Sequence, residues 1–322
     1  QIIKRENMKI TFISQKGPSF IPRDAVHLPV DLAQQCALKA HNNHYTQINQ
    51  IGNDWDIVIL LIPKTPKDRD QLYDIDIVGE AKKIGKQVWY MQEGPAWIFQ
   101  DLPLHQQFWH YNVLAEVDGI LCENKTDITY YEGLVPGQKV IDIPSTMILD
   151  GVQDYPNIEK QEQVMIGGNF CRWYGGFDSY VVAQDFKCTM HAPSMGRKIE
   201  NEEQIEDLEH YPFMNWNEWI KMLASHKYAV HLMPTFAAGT FAMNCGYVGT
   251  PCIGYNTVDT QRQIHPELSV FPGDVKKARF LANKLKTDER FWLRCSDMAK
   301  KNYQKYHSEE AFLDHMFKRV FV

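Results

Sequence analysis

The chain has 322 residues, with 34 Lys and Arg against 40 Asp and Glu for a formal net charge of −6. A composition that is 44% apolar and 12% aromatic builds real cores and excludes a disordered or collagen-like chain. At roughly 150 residues per domain, the length predicts two domains. No apolar run reaches the roughly eighteen residues of a membrane helix, and the N-terminus lacks a signal-peptide apolar segment. The 7 cysteines are scattered without a C-x-x-C pair, which points to reduced thiols and a cytoplasmic setting (the host cytoplasm if the chain is viral). The acidic balance argues against nonspecific coating of nucleic acid.

Strand and helix signals alternate along the first half. Lys9–Ser14 reads as a strand that ends in the loop QKGPSFIPR. Asp56–Ile62 (DIVILLI) has the unbroken β-branched pattern of a strand buried on both faces. A helix over Tyr73–Ile84, closed by Gly85, leads to a strand at Gln87–Met91. The helix His105–Glu116, the strand Gly119–Cys122, the helix Asp127–Leu134 and the strand Lys139–Ile143 follow. Such alternation predicts a parallel α/β sheet.

Near Gln153–Gln163 the composition turns polar and the periodicity stops, so this stretch reads as a linker. Alternation then restarts with a strand at Val164–Gly167, a helix at Phe177–Phe186 and a strand at Cys188–Met190. Next come the helix Trp216–Ser225, the strand Lys227–Leu232, the helix Phe241–Val248 and the strand Pro251–Gly254. Helices at Val275–Leu285, Asp288–Tyr306 and Glu309–Phe321 close the chain. The expected architecture is α/β: two Rossmann-like parallel-sheet domains facing a cleft. One spans 8–152 and the other 164–302, with 153–163 between them and a terminal helix at 303–322 that returns to the first domain.

In open parallel sheets, ligands sit beyond the carboxyl ends of the strands, so the loops there hold the candidates. Neither G-x-G-x-x-G nor G-x-x-x-x-G-K-[ST] occurs, which argues against dehydrogenases and P-loop NTPases. The second half instead has Arg172 after a strand (MIGGNFCRWYGG), then Pro234-Thr235 at a strand end, Gly239-Thr240 opening a helix, and Gly249-Thr250-Pro251 before the next strand. A helix start at Gly239, Thr240 and Phe241 offers unpaired N–H groups to a diphosphate, and Arg172 can neutralise it bidentately.

These motifs resemble the nucleotide-sugar domain of GT-B-fold glycosyltransferases and, more loosely, the phage DNA-modifying glucosyltransferases. The resemblance implies transfer of a sugar from a nucleotide-diphosphate sugar, a UDP-sugar in expectation, to an acceptor hydroxyl. It also implies that no further cofactor and no metal are required. It places the donor on Arg172, Arg197, Lys198, Thr235, Gly239, Thr240 and Phe241, with Lys16 and Gly17 reaching the phosphates. It places the base beside Phe213, Met214, Asn215 and Trp216. The Glu-x7-Glu pair of many retaining relatives is absent: Phe236 and Asn244 stand at its two positions, leaving Asn244 to meet the ribose. Glu93, on the rigid Gly94-Pro95 turn after a strand, suits a general base, with Asp24 as its competitor. Asp259, Arg262 and His265 are candidates for contact with the sugar or acceptor. The acceptor is open between a glycan, a small molecule and a hydroxymethylated DNA base, the last served by the basic clusters between Lys276 and Lys305. A catalytically silent nucleotide-sugar binder is the alternative. Asp74-Ile75-Asp76 matches a metal-binding Asp-x-Asp but starts a helix, and the His41/His44 and His105/His110 pairs lack a third ligand.

Overall fold

A computed structural model describes residues 8–15, 30–64, 69–150, 152, 157–193, 202–212 and 214–322. The chain divides into two compact units. Unit 1 holds Asp31–Pro144 with the first strand and Phe312–Val322, and unit 2 holds Ser145–Ala311. The sequence-predicted candidates Lys16, Gly17, Asp24, Arg197, Lys198 and Phe213 lie outside the described residues.

Unit 1 is a six-stranded sheet in the order β2-β1-β3-β4-β5-β6. Its strands are β1 (Ile10–Ser14), β2 (His41–His44), β3 (Trp55–Ile62), β4 (Gly85–Gln92), β5 (Gly119–Cys122) and β6 (Val140–Asp142), every pair parallel. The crossovers carry α1 (Val30–Ala37), α2 (Arg69–Tyr73), α3 (Ile77–Ile84), α4 (Leu104–Glu116) and α5 (Asp127–Leu134). Period-two alternation splits β3 between the faces. Val58, Leu60 and Ile62 join the core under α3 and α4, while Ile57, Ile59 and Leu61 pack with Phe312, Met316 and Val320. Burial on both faces explains the continuous apolar run.

Two features of unit 1 depart from expectation. β2 reads HNNH and carries no apolar signature; it is an edge strand held by side chains, with Ser14 Oγ donating to Asn42 Oδ1 at 2.9 Å and Asn43 Nδ2 to Thr11 Oγ1 at 3.0 Å. The helix predicted over Tyr73–Ile84 breaks at Asp74-Ile75-Asp76, because the Asp76 carboxylate accepts from Gly79 N at 3.0 Å and caps α3.

Unit 2 has the order β12-β11-β10-β7-β8-β9. The strands are β7 (Gln161–Ile166), β8 (Thr189–Ala192), β9 (Leu208–His210), β10 (His226–His231), β11 (Cys252–Tyr255) and β12 (Ser269–Val270), again all parallel. Its helices are α6 (Gly176–Ala183), α7 (Trp216–Ala224), α8 (Thr240–Val248), α9 (Asp259–Ile264), α10 (Val275–Thr287) and α11 (Glu289–Tyr306). α12 (Glu309–His315) follows. Counted from β7, the order is the doubly wound 3-2-1-4-5-6, whose switch point lies between β7 and β10. β7 starts at Gln161, inside the stretch read as linker; its polar first residues are the solvent-facing start of the strand. Stacking of Phe186 on Tyr228 at 4.2 Å anchors the buried face.

Candidate donor and acceptor sites

Two loops meet at the switch point of unit 2. The first follows β7 and runs from Gly167 to Gly175. It is folded on itself, with Gly175 N and Tyr174 N donating to Cys171 O at 3.0 and 3.2 Å and Gly176 N to Asn169 O at 2.9 Å. Gly175 sits at φ 64°, and a Cβ there would lie 1.9 Å from Leu232 O, so only glycine allows β10 to pass this close. The exposed tip of the loop carries Arg172, whose guanidinium stacks over Trp173 at 4.0 Å.

The second loop follows β10. Thr235 Oγ1 donates to Trp173 O at 2.6 Å, tying the two loops together. Gly239 then takes φ 73° and caps α8 without a side chain. Its carbonyl accepts from Thr260 Oγ1 at 2.7 Å, so α9 braces the start of α8. α6 also opens on a glycine, Gly175, with no side-chain cap. In the same unit α7, α10 and α11 are capped by Asn215, Asp274 and Asp288. α9, after Val258, lacks a side-chain cap as well. The two glycine-started helices lie beside the switch point; Gly176 N of α6 is taken by Asn169 O, so the start of α8 is the one whose first N–H groups face an anion.

Several sequence-predicted residues turn out to be committed elsewhere. Trp216 is buried and donates from Nε1 to Ile148 O at 2.9 Å, which makes it a core anchor and not a platform for a base. Met214 is buried too, and Asn215 spends its side chain on a capping box with Glu218. His265 is buried, with Nε2 bonded to Ala242 O at 2.9 Å and Nδ1 accepting from Cys252 N at 3.4 Å. The sugar or acceptor role expected for His265 gives way to a structural one, and burial holds its imidazole neutral, down to about 4. Asp259 and Arg262 form an ion pair, and Arg262 also donates to Asn256 O at 2.7 Å. Asn244 and Phe241 are buried in the first turns of α8, and Thr240 is half-buried at its start.

Two site neighbours escaped the sequence reading. His231 closes β10; its ring packs edge-on to Phe241 at 5.0 Å, and a Cβ on Gly167 would come within 2.8 Å of it. Buried Glu202 accepts from Phe170 N at 3.2 Å and so steadies the Arg172 loop. Neither residue type has a spacing signature, because both partners are backbone or ring surfaces.

In unit 1 Glu93 is half-buried, directly after β4, and its N–H donates to Ile62 O at 3.0 Å. Gly94 follows at φ 83°. Among the described residues no group of three His, Cys, Asp or Glu is placed to hold a metal ion, and no helix is long and apolar enough to cross a membrane.

The architecture is GT-B-like: two Rossmann-like, all-parallel six-stranded units. No family model matches the chain, and no curated protein matches its sequence. Solved structures match in fold. Anabaena Alr3699/HepE in complex with UDP is 10% identical at TM-score 0.71, over 97% of this chain and 99% of that one. An alpha-glucosyltransferase in complex with UDP-glucose and DNA containing an abasic site is 10% identical at TM-score 0.65, over 96% and 98%. Sucrose-phosphate synthase from Thermosynechococcus elongatus is 12% identical at TM-score 0.66, over 98% and 89%.

Proposed function

We propose that the chain is a glycosyltransferase that takes its sugar from a UDP-sugar. The observation that carries this is the switch point of unit 2, where two glycine-started helices and Arg172 gather on one sheet edge with no carboxylate cap between them. Such an edge is built for a dianionic diphosphate. Solved structures of the same fold hold UDP or UDP-glucose, which supports uridine as the base of the donor.

In this reading the acceptor oxygen bonds to the anomeric carbon as the bond to the diphosphate breaks. The electron pair leaves on the diphosphate, where Arg172 and the start of α8 stabilise it, so the chemistry needs no metal. Glu93 takes the proton of the acceptor hydroxyl, and a single displacement inverts the anomeric centre. Thr235 and Thr240 line the donor edge.

A second reading makes a hydroxymethylated base in DNA the acceptor; a structural neighbour carries DNA. The basic surface of α10 and α11 supports it less than its charge count implies. Arg279, Lys286 and Arg294 are spent on Asp185, Glu162 and Glu267. The test is release of UDP from UDP-glucose, followed with and without acceptors. Transfer to hydroxymethylated DNA that weakens steeply with salt would favour the second reading. UDP-glucose bound but never turned over would leave a silent binder.

A further inference from the structure

The register of unit 1 sets two carboxyl groups side by side. Tyr90 of β4 pairs with Ile120 of β5. Glu93 and Glu123 each stand the same three positions further on, so they leave neighbouring strands together at the carboxyl edge of the sheet. Like charges in such a position repel and do not stabilise a fold. Asp31, in the first turn of α1, and Asp127, in the first turn of α5, add to the same field around Glu123. A fourth group closes the cluster. Gln34 of α1 is 1% exposed. Its Nε2 reaches Glu123 Oε1 at 3.5 Å and Pro144 O at 3.3 Å, while its Oε1 has no hydrogen-bond partner among the described residues. A buried amide oxygen left open on the side chain that meets Glu123 is an unfilled acceptor, and it calls for a donor from outside the protein.

We infer that Glu93, Glu123 and Gln34 form a binding site for an uncharged hydroxyl-bearing acceptor, and that Asp31 and Asp127 make the same site reject anionic ones. Burial, then the charges of Asp31, Glu93 and Asp127, push the Glu123 carboxyl up to about 8, so at neutral pH it is a carboxylic acid. The Glu123 acid presents a donor, and the Glu93 carboxyl oxygens and the Gln34 oxygen stand as acceptors. Two neighbouring sugar hydroxyls, one donating to each acceptor and one of them accepting from Glu123, satisfy this set. A phosphate or carboxylate meets repulsion from the ionised members. The inference rests on the glycosyltransferase reading only for the word acceptor.

The test uses the full chain with ¹³C in its glutamate carboxyl groups and follows those signals by NMR. The signals missing from Glu123→Gln and Glu93→Gln identify the two residues. Glucose is then titrated into the wild type, with glucose 6-phosphate in parallel and UDP binding measured separately. Glucose should move both signals while glucose 6-phosphate moves neither. E123Q, which keeps a neutral donor and acceptor, should bind glucose within about threefold of wild type, and E123A about tenfold more weakly, the worth of one hydrogen-bonded partner. The double variant Asp31→Asn with Glu93→Gln should begin to admit glucose 6-phosphate. A glucose titration that leaves both signals still, or equal response to both sugars, overturns the inference even if UDP binds. Discrimination between the sugars without any UDP binding would uphold this site and overturn the donor reading instead.

Discussion

Replacing Gly239 with alanine tests whether the start of α8 is the diphosphate site. At φ 73° a residue with a Cβ pays about 1 kcal/mol for the left-handed conformation. That Cβ would stand 2.2 Å from Thr260 Oγ1 and 2.8 Å from Val258 Cγ2, and relieving such overlap costs about 1–3 kcal/mol. The bond from Thr260 Oγ1 to Gly239 O, 2.7 Å long, is lost in the process at about 1 kcal/mol. The sum is roughly 3–5 kcal/mol, and at about 2–4 °C per kcal/mol the melting temperature of unit 2 should fall by roughly 6–20 °C. Displacing the helix start should also remove about 1–2 kcal/mol of anion binding, a loss of about 5–30-fold in UDP affinity. Calorimetric titration of UDP and a thermal melt measure the two effects. Adding Thr260→Ala to G239A should recover part of both, because it removes the nearest overlap. A G239A protein that melts lower yet binds UDP within about twofold of wild type would refute the assignment of this helix start.

Arg172→Ala should weaken UDP by about 10–100-fold through loss of a charge-assisted bidentate contact, and Arg172→Lys should not restore it, because an ammonium lacks the planar fork; titration of UDP into each variant decides. Glu93→Gln should lower turnover by about 10²–10⁴-fold with UDP affinity held within about twofold, and near-normal turnover would remove Glu93 as the base. Trp216→Phe should cost about 1 kcal/mol, by loss of the bond to Ile148 O, while leaving the preference for UDP over other nucleotide diphosphates unchanged in a thermal-shift comparison. Burial depresses the imidazoles of His110, His265 and His307 to about 4 and that of His226 to about 3. The folded state therefore binds fewer protons than the unfolded state below about 6.5, so stability is complete above that pH and is lost as pH falls towards 4. Denaturant midpoints across this window should drop on the acid side, and His265→Gln should flatten the slope by about one proton; a flat profile would contradict the buried neutral state.

The parts of the fold that announced themselves are those whose burial is written in side-chain periodicity. β3 and β4 are apolar on both faces, and α7, α10 and α11 of unit 2 are apolar on one, so their positions and order could be read directly. β2, β9 and β12 could not. HNNH is paired by side-chain amides and hydroxyls at an edge, and the other two strands are three and two residues long. At the site, glycines and strand ends were legible because backbone geometry demands them: Gly239 was expected to open a helix and does so at positive φ. Buried polar residues were not, since a histidine or tryptophan in a loop looks the same whether it meets a ligand or a neighbouring carbonyl. His265 and Trp216 went to carbonyls. Glu123 shows the opposite failure. It follows GILC as Glu93 follows QVWYM, and the rule that picked one applied equally to the other.

The donor site is tested most directly by thermal-shift measurement of the whole chain against nucleotide diphosphates and UDP-glucose. A ligand at about one hundred times its dissociation constant adds roughly 2.7 kcal/mol to the folded state. UDP and UDP-glucose should raise the melting temperature in wild type, with ADP and GDP weaker, and the shift should vanish in Arg172→Ala. If no nucleotide diphosphate raises the melting temperature, or if Arg172→Ala responds as wild type does, the donor site is not where the two helix starts meet.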